Sequence, residues 1–253
     1  MRCIDLNADL GEGFGRYQVA DDAALLDVVS SANLACGFHA GDPVVMRRTV
    51  EDALRRRVTI GAHPGYPDLA GFGRRELAAS GEEIHAYVVY QVAALSGFCA
   101  AAGSTLRYVK PHGALYLRAA RDRPTAEAIV AAIRALDPGL TLLGLAGSAL
   151  VDTARQAGLP VAAEGFIDRA YTPDGHLAPR STPGAVLHDP VACVERAARL
   201  VLDGMVEALD GTMIPLRVDS LCAHGDGPTA VALLTAVRER LEGAGVRIAP
   251  FAR

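Results

Sequence analysis

The chain has 253 residues, 51% apolar and 21% charged, with 25 basic against 29 acidic side chains and a formal net charge of -4. This composition excludes intrinsic disorder and leaves no basic excess for a phosphate backbone, so nucleic-acid binding is not expected. A length of this order suits a single α/β barrel.

The N-terminal MRCIDLNAD enters an alternating pattern at once, with no charged segment followed by a long apolar one. No signal peptide is expected, and no stretch approaches the ~18 consecutive apolar residues of a bilayer span. The five cysteines, Cys3, Cys36, Cys99, Cys193 and Cys222, are scattered without a CxxC pair. They read as small core residues in a reducing compartment, which makes the cytoplasm the expected location.

The first predicted strand, Cys3–Asp9, has period two, with Asp5, Asn7 and Asp9 on one face and Ile4, Leu6 and Ala8 on the other. A glycine-rich loop, GEGFG, follows around Glu12. The second strand, Ser31–Cys36, leads to His39, and Asp42-Pro43 opens a helix. On the third strand, Val58–His63, Gly61 and His63 share a face. Ser80 and Glu83 form a capping box for a helix through about Ala102. The fourth strand, Leu106–His112, aligns Tyr108, Lys110 and His112. Leu140–Ala146, a helix near 148–157, and Pro160–Phe166 with Glu164 follow. Residues 167–188 read as a loop over a site. Asp189-Pro190 opens a helix whose apolar stripe (Val194, Ala197, Ala198, Val201, Leu202, Met205, Leu209) runs at helical spacing. The last strand, Ser220–Asp226, aligns Cys222, His224 and Asp226, ahead of a helix near 227–243.

Alternating strands and helices imply parallel strands with right-handed crossovers, in one domain over 1–253. About seven such units can close into a barrel or lie open. The polar residues at the strand ends converge on one point only if the sheet closes, which favours the barrel and a polar site at its mouth.

Asp9, His39 and His63 are the first candidates for a divalent metal site. The same histidines could instead bind substrate or move protons. Lys110 could neutralise a carboxylate or developing oxyanion, or pair with Asp5 or Asp226. GEGFG lacks the GxxxxGK[ST] pattern of a phosphate loop, no GxSxG elbow is present, and no self-sufficient ATP site is recognisable.

DLNADLGEGFG at 5–15, SANLACGFHAGDP at 31–43, GAHPGYPDLAGFGRR at 61–75, YVKPHGALY at 108–116, EGFIDRAYTPDGHLAPR at 164–180 and CAHGDGP at 222–228 stand in order along nearly the whole chain. Together they resemble the LamB/YcsF family, that of the A-subunit of the prokaryotic 5-oxoprolinase. The resemblance implies an irregular seven-stranded β/α (TIM-like) barrel, similar to the glycoside hydrolase/deacetylase superfamily. It also implies ATP-dependent opening of 5-oxo-L-proline (pyroglutamate) to L-glutamate in complex with subunits B and C, with ATP bound by or shared with those partners. Related folds hold a divalent metal with an Asp and two His, here Asp9, His39 and His63, and His112 could replace either histidine.

In that scheme Asp9 or Glu164 orients or deprotonates water, helped by a metal or His63. Lys110 and Arg180 hold the substrate carboxylate or a phosphate, and His224 or His112 protonates the ring nitrogen. Glu12 joins the catalytic candidates, and Asn7, Asn33 and Asp226 join Arg180 as candidate substrate contacts. The 11–15 and 167–188 loops could close over the substrate. Two other readings stand beside this one: a stand-alone metal-dependent amidohydrolase or deacetylase, and a non-catalytic lactam-binding component. The surface leaves homo-oligomer and heteromer contacts open.

Overall fold

The structure, a computed structural model, describes residues 2–223 and 230–252. Its elements in chain order are β1 (Cys3–Leu10), α1 (Asp22–Leu26), β2 (Ser31–Ala35), α2 (Pro43–Arg55), β3 (Thr59–His63), α3 (Gly81–Ala101), β4 (Tyr108–Val109), α4 (Gly113–Ala119) and α5 (Arg123–Leu136). They continue with β5 (Thr141–Leu145), α6 (Ala149–Gln156), β6 (Val161–Phe166), α7 (Pro190–Leu202), β7 (Met205–Glu207), β8 (Met213–Pro215), β9 (Ser220–Cys222), α8 (Ala230–Gly243) and β10 (Arg247–Ile248).

β1 to β6 pair in parallel in sequence order, β6 pairs with β9, and β9 pairs back onto β1, so seven strands close into a barrel. Parallel neighbours need crossovers, and the helices supply them on the outside. β10 lies beside the start of β1, Cys3 opposite Arg247, before β9 takes over that edge at Asp5. The strands read apolar on one face because Ile4, Leu6, Ala8 and Leu10 are buried under the helices.

The sequence signals for helix starts act as expected. Asp42 accepts from Val44 N–H and Val45 N–H, Ser80 and Glu83 complete a capping box, and Asp189 accepts from Val191 N–H. Each such cap stabilises its helix by about 1 kcal/mol. By length and composition α3 could cross a membrane, a property the run of apolar residues did not suggest. In the barrel it packs along α5 and α2 with Ile84, Val88, Val92, Leu95 and Cys99 buried.

Other elements depart from the sequence expectation. The stripe that ran to Leu209 ends as helix at Leu202. Gly204 turns left-handed (φ +67), and Met205 enters an antiparallel hairpin of β7 with β8 that buries Val206. β4 is only two residues long because Pro111 has no N–H for a ladder. The chain still tracks β3, with Lys110 N–H donating to Ala62 O at 2.9 Å and His112 N–H to Pro64 O at 2.9 Å. Helices α4 and α5 fill the stretch between β4 and β5 that carried no predicted element. Cys36, Cys99, Cys193 and Cys222 are buried as expected, whereas Cys3 is exposed.

The barrel floor is closed by Tyr108, Leu143, Ala162 and Ala252, with Phe251 edge-on to Tyr108 at 5.0 Å. The Tyr108 ring lies where a side chain on Gly61 would be, since a Cβ there would come within 2.1 Å of it. Gly61→Ala therefore displaces a fully buried ring, and urea denaturation should show a loss of about 1–3 kcal/mol. An unchanged midpoint and slope would mean the floor repacks freely.

Candidate active site

The inward face of the barrel is a stack of polar layers. Lowest, the Asp5 carboxylate accepts from Ser30 Oγ and Ser31 Oγ, each at 2.6 Å, and from Ser220 Oγ. Above it, Asn7 Nδ2 donates to Ser220 Oγ at 2.7 Å and to Glu164 Oε1 at 3.0 Å. Asn33 Nδ2 donates to Asn7 Oδ1 at 2.7 Å and Asp9 Oδ1 at 2.8 Å, and Tyr108 Oη donates to Asn33 Oδ1 at 2.7 Å. The period-two reading of β1 is what aligns Asp5, Asn7 and Asp9 along one inner wall.

Lys110 Nζ caps this stack. It lies 2.8 Å from Glu164 Oε1, 3.1 Å from Asp9 Oδ1 and 3.2 Å from Asn7 Oδ1. Tyr116 Oη donates to the other Glu164 oxygen at 2.7 Å. Burial opposes the ammonium, but the neighbouring carboxylates outweigh it and hold the Lys110 pKa well above its usual value. Burial likewise opposes the Asp9 carboxylate, while His63 and Lys110 hold its pKa well below the usual range. Lys110 thus pairs with Asp9 and Glu164, and Asp5 is engaged by the three serines instead.

Three imidazoles sit above Lys110. His39 stacks on His112 with centroids 3.7 Å apart and planes 4° apart, and His63 stands edge-on to both. The carbonyl of Lys110 accepts from His63 Nδ1–H at 2.7 Å, and that of Phe72 accepts from His112 Nε2–H at 2.8 Å. A carbonyl can only accept, so these contacts fix both tautomers. The other two nitrogens, His63 Nε2 and His112 Nδ1, then face each other at 2.9 Å, with Asp9 Oδ2 3.3 Å from the former.

Burial, with the His63 field added, pushes His112 down to about 3, and burial also drives His39 well below its usual value. Burial thus keeps a second proton off both His112 and His39 at neutral pH. Both His39 ring nitrogens are buried without a hydrogen-bond partner. Glu12 Oε1 lies 3.5 Å from His39 Nε2 and 3.8 Å from His112 Nδ1. One ligand atom from each of Glu12, His39, His63 and His112 falls within 4.8 Å of the others. Converging nitrogen lone pairs beside a carboxylate are the donor set a borderline divalent ion takes, so this buried group fits a metal. Asp9 Oδ2 is 3.3 Å from His63 Nε2, at the group's edge.

A cavity of about 370 Å³ opens over these residues. Of the sequence candidates, Asp9, Glu12, His63, Lys110, His112 and Arg180 line it. Asn7, Asn33 and Glu164 support it from below, and His39 lies behind His112. His224 and Asp226 lie outside the described residues. Arg74, Tyr116, Phe166 and Arg169 also line the cavity without having been singled out. Arg74 and Arg169 lie inside two of the quoted motifs, but loop side chains carry no periodicity that assigns them a direction. Glu12 reaches the group because the chain after it turns into a tight hairpin, with Phe14 bridged to Tyr17. A Cβ on Gly73 (φ +63) would lie 2.7 Å from His39 Cβ and 2.8 Å from His112 Cδ2, so bare backbone is what lets that loop cover the stacked rings.

The LamB/YcsF family profile matches residues 4–253. A protein of Pseudomonas syringae pv. tomato, named as a 5-oxoprolinase A-subunit, is 54% identical over 252 residues, covering 100% of this chain and 98% of its own. The 5-oxoprolinase A-subunit of Thermus thermophilus is 53% identical over 248 residues, covering 98% and 99% respectively. The crystal structure of a lactam utilization protein from Thermus thermophilus superposes with a TM-score of 0.93 at 52% identity, covering 98% of this chain and 100% of that one.

The lowest layer yields a pH prediction. Burial raises Asp5 from 3.8 to about 6, against the three hydroxyl donors that pull the other way. The fold therefore favours the protonated form. This contribution is full below pH 3.8 and is lost as pH rises through about 6, a change of about 3 kcal/mol. Asp5→Asn should remove that slope: the stability difference between wild type and variant, from urea melts at pH 4, 5, 6 and 7, should shift steadily in the variant's favour. A difference independent of pH would show that Asp5 is not perturbed.

Proposed function

The chain belongs to the LamB/YcsF family, and on that premise we propose that it is the ring-opening component of an ATP-dependent 5-oxoprolinase, working with subunits B and C. What carries the reading is the meeting of the Glu12–His39–His63–His112 group and the buried Lys110 in one cavity, in a chain more than half identical to proteins of that name. The volume suits a ligand of the size of 5-oxo-L-proline.

A five-membered lactam resists water because its amide is resonance-stabilised and the ring recloses readily. Moving the terminal phosphoryl group of ATP onto the lactam oxygen makes the ring carbon electrophilic. The sequence has no phosphate-loop pattern, so that step is assigned to the partner subunits. Water then adds to the carbon, the carbon–nitrogen bond breaks as the nitrogen takes a proton, and a second water releases phosphate from the resulting acyl phosphate. The products are L-glutamate, ADP and phosphate.

Glu12, His39, His63 and His112 would hold a divalent ion, which when bound polarises an oxygen and acidifies water. Asp9, held by Asn33 and Lys110 and facing the cavity, orients the incoming water. Lys110 presents a fixed positive charge toward the oxygen on which negative charge develops, and it needs no reorganisation to do so. Phe166 and Leu177 give the ring carbons an apolar wall and exclude bulk water. The departing nitrogen needs one proton, for which the sequence offers His224.

The test is glutamate formation from 5-oxoproline and ATP by purified subunits B and C, with and without this chain. Glutamate only when the chain is present is the expected result; equal glutamate in its absence, or none in either case with partners that hydrolyse ATP, would overturn the reading. His39→Ala should lower bound divalent metal from about one equivalent to below a tenth by elemental analysis, and turnover by at least ~100-fold, with an unchanged circular-dichroism spectrum. Full turnover after metal loss would remove the ion from the scheme.

A further inference from the structure

We infer that Gln91, on the outer helix α3, is a positioning residue for the metal group: it holds the backbone at Gly65, and that stretch of backbone holds the stacked pair of His39 and His112. The inference rests on the reading of Glu12, His39, His63 and His112 as a metal centre, and it adds to that reading a residue outside the cavity.

The three imidazoles are not held alike. His63 donates to Lys110 O and His112 to Phe72 O, whereas neither nitrogen of His39 has a hydrogen-bond partner among the described residues. Contact places the His39 ring instead. One face lies on the His112 ring, with centroids 3.7 Å apart. A Cβ on Gly65 would come within 2.8 Å of His39 Nδ1 and 3.2 Å of its Cγ, so bare Gly65 backbone walls that side of the ring. The other nitrogen, Nε2, is the one turned to Glu12 Oε1, 3.5 Å away. The same stretch reaches the second ring's residue, since Pro64 O accepts from His112 N–H at 2.9 Å.

Pro64 and Gly65 lie just beyond the end of β3, and Gly65 finds no backbone partner among the described residues. Gln91 supplies what a neighbouring strand would. Its Oε1 accepts from Gly65 N–H at 2.9 Å, and its Nε2 donates to Gly65 O at 2.9 Å and to Tyr87 O at 2.9 Å. Two carbonyls that only accept and one N–H that only donates fix the orientation of the amide. Gln91 is fully buried in the stripe of α3 that carries Val88, Val92 and Leu95. An amide there is costly unless its hydrogen bonds are made. An apolar side chain of the same size would serve the packing of α3 as well, so the amide is there for Gly65. Without it the buried N–H and C=O of Gly65 must seek other partners, and the wall beside His39 moves with them.

The test strips the full-length chain of metal with a chelator, removes the chelator, and titrates calorimetrically with Zn2+ alone. Wild type should bind about one equivalent. Gln91→Leu, which keeps the volume, should bind it at least ~10-fold more weakly. Gln91→Glu keeps the acceptor for Gly65 N–H and loses the donor to Gly65 O; it serves if Gln91→Leu does not fold, and it too should weaken zinc. Val92→Ala is the control: it removes buried contact from the same helix and should lower the urea midpoint while leaving zinc affinity within about twofold. Gly65→Ala presses on His39 directly, and adding Gln91→Leu to it should weaken zinc by less than Gln91→Leu does alone, because both act through one ring. Zinc affinity unchanged in Gln91→Leu, equal losses in Gln91→Leu and Val92→Ala, or losses that multiply in the double variant would each overturn the inference. A wild type that takes no zinc would overturn the metal centre and this inference with it, while the glutamate assay reports separately on ring opening.

Discussion

One ammonium group decides what the inside of this barrel can be. Lys110 Nζ stands between Glu164 and Asp9, side chains brought by β6 and β1 from distant parts of the sequence. Without it, two carboxylates would be buried close together, Glu164 with only neutral donors and Asp9 with only Asn33 and His63 beside it, a loss on the order of 3–5 kcal/mol. With it, the remaining acceptors find donors on Asn7, Asn33 and Tyr116, and the network runs unbroken to Asp5. A slip of one residue in any strand would turn its polar members outward under the helices, so the network also fixes the register.

Above that hydrogen-bonded stack lies a group arranged on the opposite principle. The ring nitrogens of His39, His63 and His112 converge beside Glu12, and the backbone at Gly73 presses directly against the rings. The imidazoles are thus held in place by the fold before anything binds. A site built this way spends little binding energy on rearrangement, which is the condition under which fixed dipoles and charges act most strongly on a reacting group.

Much of this was legible from residue spacing. Period two aligned Asp5, Asn7 and Asp9 on one strand and Tyr108, Lys110 and His112 on another, because strand side chains alternate whatever the neighbours are. Which of them pair was not legible. Lys110 meets Asp9 and Glu164 because of the stagger between strands, a property of the closed sheet that no single strand encodes. The stacking of His39 on His112 joins a loop residue to a helix cap, and neither has a period to read. The helical stripe to Leu209 failed for a related reason: apolar spacing records burial, and the hairpin after Gly204 buries Val206 as well as another helical turn would. Arg74 and Arg169 were missed as cavity residues because they stand on loops, whose side chains have no period, and Arg169 takes its direction from the carbonyls of Ala178 and Ala185.

The seam of the barrel has a consequence for the order in which the molecule assembles. β1, the first strand made, finds one edge partner at once in β2, but its other edge is covered by β9 and β10, more than two hundred residues later. Until those arrive, a nascent chain presents an open parallel edge and a polar inner wall whose Asp5 lacks Ser220. Such an edge is a template for unwanted strand addition, and pairings this distant in sequence form slowly. The final closure also brings Phe251 and Ala252 under Tyr108. The barrel is therefore a loop tied at its two ends, and the knot is made last.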